Sequence, residues 1–106
     1  MAKAKEKISK KDQEWYAQVA EERRAIAEIV AERLRAMRDD ADIGQEQMGY
    51  LLGGVSAATV RRMEAAQTST SMVDWILWAR RTKRKPGEVF EDLMYFVDRY
   101  GHKRDG

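Results

Sequence analysis

Apolar side chains recur at helical spacing in the first third of the chain, without interruption by glycine or proline. From Ser9 to Arg38 the intervals between them are three, four and seven residues, which places them on one face of a helix. They are Trp15, Val19, Ile26, Ile29, Val30, Leu34 and Met37. Ser9 and Asp12 are typical of a helix N-cap and an acidic first turn. About 30 helical residues would span about 45 Å, so the second half should join a core, while the first half extends beyond it or folds back after a break.

Four shorter helices are predicted after residues 39–44. The second ends at the pair Gly53 and Gly54, because glycine accepts a positive φ without a steric penalty. Ser56 and Ser71 are placed to cap the third and the fourth, and Pro86 suits the first position of the fifth. Their predicted ranges are 45–52, 56–66, 72–81 and 86–100. The pattern therefore predicts an all-α protein of five helices with an extended N-terminal helix.

The fourth and fifth helices carry more apolar surface than one small domain readily buries. In the fourth helix we expect Val73, Ile76 and Leu77 to face inward. Two readings are open for the tryptophans of that helix and the wide apolar face of the fifth: core packing, or a dimer interface, which aromatic residues favour. We expect a homodimer whose interface includes Trp75, Trp78, Phe90 and Phe96.

Composition narrows the functional classes. The chain has 106 residues, of which 36% are charged, and it contains no cysteine. Disulfides, thiolate zinc sites and cysteine nucleophiles are thereby excluded, and a cytoplasmic protein is expected. No apolar run approaches the roughly 18 residues of a membrane span, and the N-terminal lysines lead into no signal-peptide apolar region. The solitary His102 supports neither a metal site nor a catalytic base, so we expect no cofactor, no metal and no enzymatic activity.

Positive charge is concentrated outside the middle of the chain. We expect residues 1–8 to form a disordered basic arm and residues 101–106 a polar tail with further cations. A third basic run, at 80–85, has five cations in six residues. Between residues 45 and 79, by contrast, the only cations are Arg61 and Arg62. If this chain binds nucleic acid, much of the phosphate attraction should come from the outlying runs.

The segment from Gln45 to Glu64 has the organisation of a DNA-binding helix-turn-helix. A short helix, a glycine turn and a serine-capped second helix follow one another, with apolar residues placed to hold the two helices together. The outward side of the second helix is small or polar, as a side that enters the major groove must be. Its residues, the candidate base contacts, are Ala57, Ala58, Thr59, Arg61 and Arg62. Gln45 and Ser56, at the leading ends of the two helices, are candidate phosphate contacts.

Three stretches resemble the lambda-repressor/Cro (XRE) family of helix-turn-helix regulators. They are LRAMR at 34–38, QEQMGYLLG at 45–53 and VSAATVRRME at 55–64. The resemblance implies a five-helix repressor-like DNA-binding domain at 32–100, preceded by a helical extension at 9–31. It also implies that Gln45 binds a phosphate and that Ser56 caps the recognition helix. Arg38 and Glu64 match a structural salt bridge of the family.

The same resemblance places Ala57, Ala58 and Arg62 against base edges. The chemistry of these side chains is compatible with that placement, because an arginine can donate two hydrogen bonds to a guanine and an alanine can contact a thymine methyl. The turn has one residue more than the family pattern, the second of its two glycines, which shifts the register of contacts by about one residue. The following loop lacks the basic residues that some relatives use. It offers weaker phosphate donors instead, namely Gln67, Thr68, Ser69, Thr70 and Ser71.

Two functions follow as hypotheses. The first is a sequence-specific regulator of double-stranded DNA, a repressor of phage or bacterial origin that binds as a homodimer with its third helix in the major groove. The second is an antitoxin-type interaction module that binds a partner protein through its N-terminal helix and also binds its own operator. An enzyme is disfavoured because no nucleophile–base or metal-ligand grouping is evident.

Overall fold

The computed structural model describes residues 9–101, and within this range it contains five helices and no strand. The predicted basic arm at 1–8, and the predicted tail from residue 102 onward, lie outside the described residues. The helices are α1 Lys10–Asp40, α2 Gln45–Leu51, α3 Ala57–Glu64, α4 Met72–Arg81 and α5 Pro86–Tyr100. The all-α class and the order of the elements are therefore as predicted.

Serine side chains cap three of these helices as the sequence predicts. The Oγ atoms of Ser9 and Ser71 accept hydrogen bonds from the backbone N–H three residues later, each at 3.0 Å. Ser56 does the same for α3 at 3.1 Å. Each cap satisfies one of the N–H groups that lack a partner at the start of a helix. Pro86 occupies the start of α5, where its missing N–H costs nothing.

The first helix is continuous and does not fold back. α1 has 31 residues and crosses the predicted domain boundary between residues 31 and 32 without a break. From Lys10 to Arg24 every residue is exposed except the half-buried Val19. Ile29 and Val30 are the first to pack against the core, which continues through Leu34 and Met37. The first half of α1 therefore projects beyond the other four helices, and the longest dimension of the structure, α1 included, is 50 Å.

The core lies where α1, α3, α4 and α5 meet, with Met48 of α2 added from one side. Four side chains in it have essentially no accessible surface: Leu34, Met48, Val60 and Trp78. The prediction for α4 was wrong in one respect, because Val73 is exposed and the inward residues are Trp75, Trp78 and Ala79. Ile76 and Leu77 are half-buried. The two tryptophans and Ala79 thus form the inward face of α4.

The turn between α2 and α3 depends on three glycines. Gly53 and Gly54 have φ angles of 97° and 100°, which L-residues with a side chain rarely adopt. The backbone N–H groups of Gly54 and Val55 both donate to the carbonyl of Gly49, at 3.0 and 2.9 Å. A Cβ on Gly49 would collide with the carbonyl oxygen of Val55. The sequence indicated the first two glycines, but the close approach at Gly49 emerges only from the structure.

Candidate functional site

An open cleft of about 800 Å³ lies between the C-terminal half of α1, the start of α2 and the outer side of α3. Its lining is rich in arginine. The residues are Arg35, Arg38, Gln45, Ala58, Arg61, Arg62, Glu64, Ala65 and Gln67. Four of the predicted site residues, Gln45, Ala58, Arg61 and Arg62, are therefore brought together on one concave surface. Gln67, one of the predicted weaker phosphate donors of the loop, also lies in this lining, whereas the sequence did not point to Arg35.

A buried ion pair forms the floor of this cleft. The Nε and Nη2 atoms of Arg38 donate to the two carboxylate oxygens of Glu64 at 2.6 and 2.9 Å. The side chains are only 10% and 4% exposed. Hydrogen bonding to Glu64 raises the pKa of Arg38 above its ordinary value, against the opposing effect of burial. The predicted structural salt bridge is confirmed, and it joins α1 to α3.

Gln45 is tied into the same network. Its side-chain Nε2 donates to Oε1 of Glu64 at 3.0 Å, while Arg38 also donates to the carbonyl of Ile43 at 2.8 Å. The start of α2 is thereby held against the ion pair. A primary amide has two N–H groups, and this bond uses one of them. The predicted phosphate contact of Gln45 stays a prediction.

On α3, three side chains form a short chain of hydrogen bonds. The hydroxyl of Ser56 donates to Oγ1 of Thr59 at 3.0 Å, and Nη2 of Arg62 donates to the same Thr59 oxygen at 3.1 Å. Arg62 is exposed but held along the outer side of the helix. Ala57, Ala58 and Thr59 are half-buried. Ser56 therefore acts as a cap and as an anchor for Thr59, and its predicted phosphate contact stays a prediction.

The positive charge of the cleft comes from arginines that the buried pair does not neutralise. Glu64, the only acidic residue in the lining, is paired with Arg38. Arg61 and Arg62 are exposed, and Arg35 adds a third guanidinium from α1. A signal for Arg35 does exist in the sequence, because it lies three residues before Arg38 and so shares its helix face. That signal has meaning only once Arg38 is known to meet α3.

Thr68 and Ser69 do not lie in this cleft. They line a smaller groove of about 260 Å³ between the α3–α4 loop and α1, beside Arg23, Ile26 and Val30. Thr68 and Ser69 therefore line a different groove from Gln45 and Arg62. Their assignment as phosphate contacts stays a prediction, without support from the shape of the cleft.

The predicted dimer interface needs correction. Trp75 and Trp78 are 4% and 0% exposed within a single chain, so both belong to the core and neither is available to a partner. Phe96 is half-buried beneath the guanidinium of Arg33, which lies 4.6 Å from the ring centroid. Phe90 is the one predicted interface residue that is exposed, and Met94 lies beside it one turn later on α5.

Part of the basic run at 80–85 contacts other helices of the same molecule. Nε of Arg81 donates to the carbonyl of Leu51 at 2.8 Å, at the end of α2. Arg84 forms a salt bridge with Asp40 at 2.8 Å, at the end of α1. Cations next to unpaired carbonyls at a helix C-terminus stabilise that terminus. Two of the five cations thus fasten α4 to its neighbours.

Comparison of the chain with protein-family models, curated proteins and solved structures gave no match. Among residues 9–101 no helix has the length and apolar character to span a membrane. The same residues include no cluster of three or more histidine or acidic side chains that could hold a metal ion.

Proposed function

We propose that this protein is a sequence-specific regulator of double-stranded DNA. α2 and α3 would act as a helix-turn-helix, with α3 in the major groove and the protein repressing transcription by occupying an operator. The observation that carries the proposal is the convergence of Gln45, Ala58, Arg61 and Arg62 on one arginine-rich cleft. A major groove about 12 Å wide admits an α-helix, and the exposed side of α3 offers it small side chains and two guanidinium groups.

The network beneath α3 supports the same proposal. A helix that reads bases must be held at a set angle, and the Arg38–Glu64 pair fastens α3 to α1 while Gln45 fastens α2 to that pair. Thr59 orients Arg62 before any ligand arrives. Restricting the reading side chain in this way reduces the conformational entropy lost on binding. In this proposal Arg62 reads a guanine, and Ala58 contacts a thymine methyl.

The proposal includes a homodimer. Two copies related by a two-fold axis would bind half-sites about one helical turn apart, that is about 34 Å. With both tryptophans of α4 in the core, Phe90 and Met94 of α5 are the apolar residues that we propose for the contact. They lie one turn apart on α5 and are both exposed, which makes them suited to pairing with the same residues of a second copy.

Selection of binding sites from random duplex DNA tests the proposal directly. The wild-type protein should enrich one two-fold-symmetric sequence. With Arg62→Ala the preference at one base pair of each half-site should relax, at a cost of about 1–3 kcal/mol for that base pair. Arg80→Ala, an exposed arginine outside the cleft, is the matched control and should leave the preference unchanged. Equal binding of random and selected duplexes at physiological salt would refute sequence-specific recognition.

A second function is favoured by the projecting half of α1. Trp15 is 59% exposed on this segment, next to the similarly exposed Tyr16. Exposed aromatic residues on a helix that the domain does not cover suit a partner protein, as an antitoxin-type module requires. Under this alternative, Trp15→Ala would abolish binding to a purified partner and leave duplex binding intact. Failure of Trp15→Ala to change the affinity for such a partner would count against it.

A further inference from the structure

We infer that the cleft is a phosphate-binding site in which Arg35 of α1 contacts a phosphate group together with the arginines of α3. The inference rests on the proposed function in one respect, because the phosphate is taken to belong to the backbone of the bound duplex. It extends the nucleic-acid interface beyond α2 and α3 to the C-terminal half of α1.

The guanidinium of Arg35 is open to a ligand. Its side chain is 66% exposed, and its salt bridge to Asp39, with Nε and Oδ2 3.7 Å apart, joins it to a side chain that is itself mostly exposed. Such pairs are weak, because water screens them and both side chains lose freedom on pairing. A phosphate oxygen can therefore replace Asp39 at little cost.

The electrostatics of the lining favour an anion. The buried Arg38–Glu64 pair is internally neutral, so no acidic side chain of the lining neutralises Arg61 and Arg62, and Arg35 has only its weak, exposed pair with Asp39. A guanidinium presents its N–H groups as a planar fork that matches the oxygens of a phosphate. The lining also includes the exposed amide of Gln67, a further possible donor.

The position of Arg35 on a different helix gives the contact a particular role. Arg61 and Arg62 belong to α3, whereas Arg35 is carried by α1, which the ion pair holds against α3. A phosphate bound in the cleft would be held from two elements at once. Contacts of this kind orient a protein on the duplex without reading its sequence. Arg35 is therefore a positioning residue, distinct from the base-reading role proposed for Arg62.

The salt dependence of binding to the selected duplex tests this assignment. Fluorescence anisotropy between 50 and about 200 mM salt yields the slope of log K against log salt, and one lost phosphate contact lowers that slope by about 0.9. We expect this loss in Arg35→Ala, with the ranking of duplex sequences unchanged, and recovery of the slope in Arg35→Lys. Arg24→Ala, an exposed arginine on the projecting part of the same helix, is the matched control and should retain the wild-type slope.

A second arm, with inorganic pyrophosphate, separates this inference from the proposed function. If wild-type protein binds no duplex, the proposed function fails, yet pyrophosphate should still raise the unfolding temperature of wild type and Arg24→Ala more than that of Arg35→Ala. Stabilisation by pyrophosphate alongside duplex binding would show that the cleft also accepts free phosphates. Where duplex is bound, a wild-type slope in Arg35→Ala, or an equal loss in Arg24→Ala, overturns the assignment. Where no duplex is bound, the assignment is overturned if pyrophosphate raises the unfolding temperature of wild type, Arg24→Ala and Arg35→Ala equally.

Discussion

The indole N–H of Trp78 donates a hydrogen bond to the backbone carbonyl of Leu34, 2.9 Å away and 44 residues earlier in the chain. Both side chains are completely buried. The bond fixes α4 against α1, and α4 in turn holds the end of α2 through the bond from Arg81 to the carbonyl of Leu51. The orientation of α2 and α3 therefore depends on residues outside the candidate site.

Trp78→Phe should destabilise the protein markedly. The substitution removes the donor to Leu34 and leaves a cavity where the larger ring was, for a combined cost of about 2–4 kcal/mol. Against a total stability of about 5–15 kcal/mol for a domain, this is a large fraction. Denaturant titration followed by circular dichroism measures it. Trp15→Phe, on the exposed part of α1, should change the free energy of unfolding by less than about 0.5 kcal/mol.

The Arg38–Glu64 pair should show strong coupling between its two members. Arg38→Met or Glu64→Leu alone leaves one charge buried without its partner, which costs about 3–5 kcal/mol. The double variant should cost clearly less than the sum of the two, because neither charge is then stranded. A double-mutant cycle in urea gives the coupling energy. If the two effects simply add, the pair has no special role in joining α1 to α3.

Gly49 should tolerate no side chain. In Gly49→Ala the new Cβ meets the carbonyl of Val55, so the turn between α2 and α3 must move, at a cost of about 1–3 kcal/mol or more. Gly87→Ala is the control, because a Cβ there meets nothing within 4 Å. It lies in the first turn of α5, so it should stabilise the protein only slightly, by less than the roughly 0.5–1 kcal/mol of a mid-helix position. Thermal unfolding compares the two. The same sign of effect in both variants would contradict this account of the turn.

Phe90 and Met94 should control self-association. Replacing both with serine removes the apolar contact proposed for the dimer, and sedimentation velocity should then report a monomer at concentrations where the wild type is a dimer. The free energy of unfolding of the monomer should change little, since both side chains are exposed. Tyr50→Ser, which removes an exposed ring from α2, should leave the association state as it was. If the double variant is still a dimer, Phe90 and Met94 do not form the dimer interface.

Several features of the fold could be read from the sequence because they depend on near neighbours. The serine caps, the start of α5 at Pro86 and the positive φ of Gly53 and Gly54 each involve contacts within about four residues. The Arg38–Glu64 pair is different, because the two residues are 26 positions apart. It was expected only from the family resemblance, since spacing alone does not bring α1 to α3.

Other features lay beyond the reach of the sequence. On α4, apolar residues stand on two sides of the helix, so periodicity could not choose between Val73 and the tryptophans for the inward face. Packing decides in favour of Trp75 and Trp78, whose burial removes them from any dimer interface. Arg35 was missed because its importance depends on the cleft formed where α1 passes α3.

By itself the sequence determined the helical class, the order of the five helices and their boundaries to within about two residues, because hydrogen bonds within a few residues decide where a helix begins and ends. Tertiary structure alone decided that α1 runs straight beyond the core, which apolar side chains are buried, and which arginines share the cleft. Those outcomes depend on contacts between segments tens of residues apart. A pattern of neighbouring residues does not contain that information.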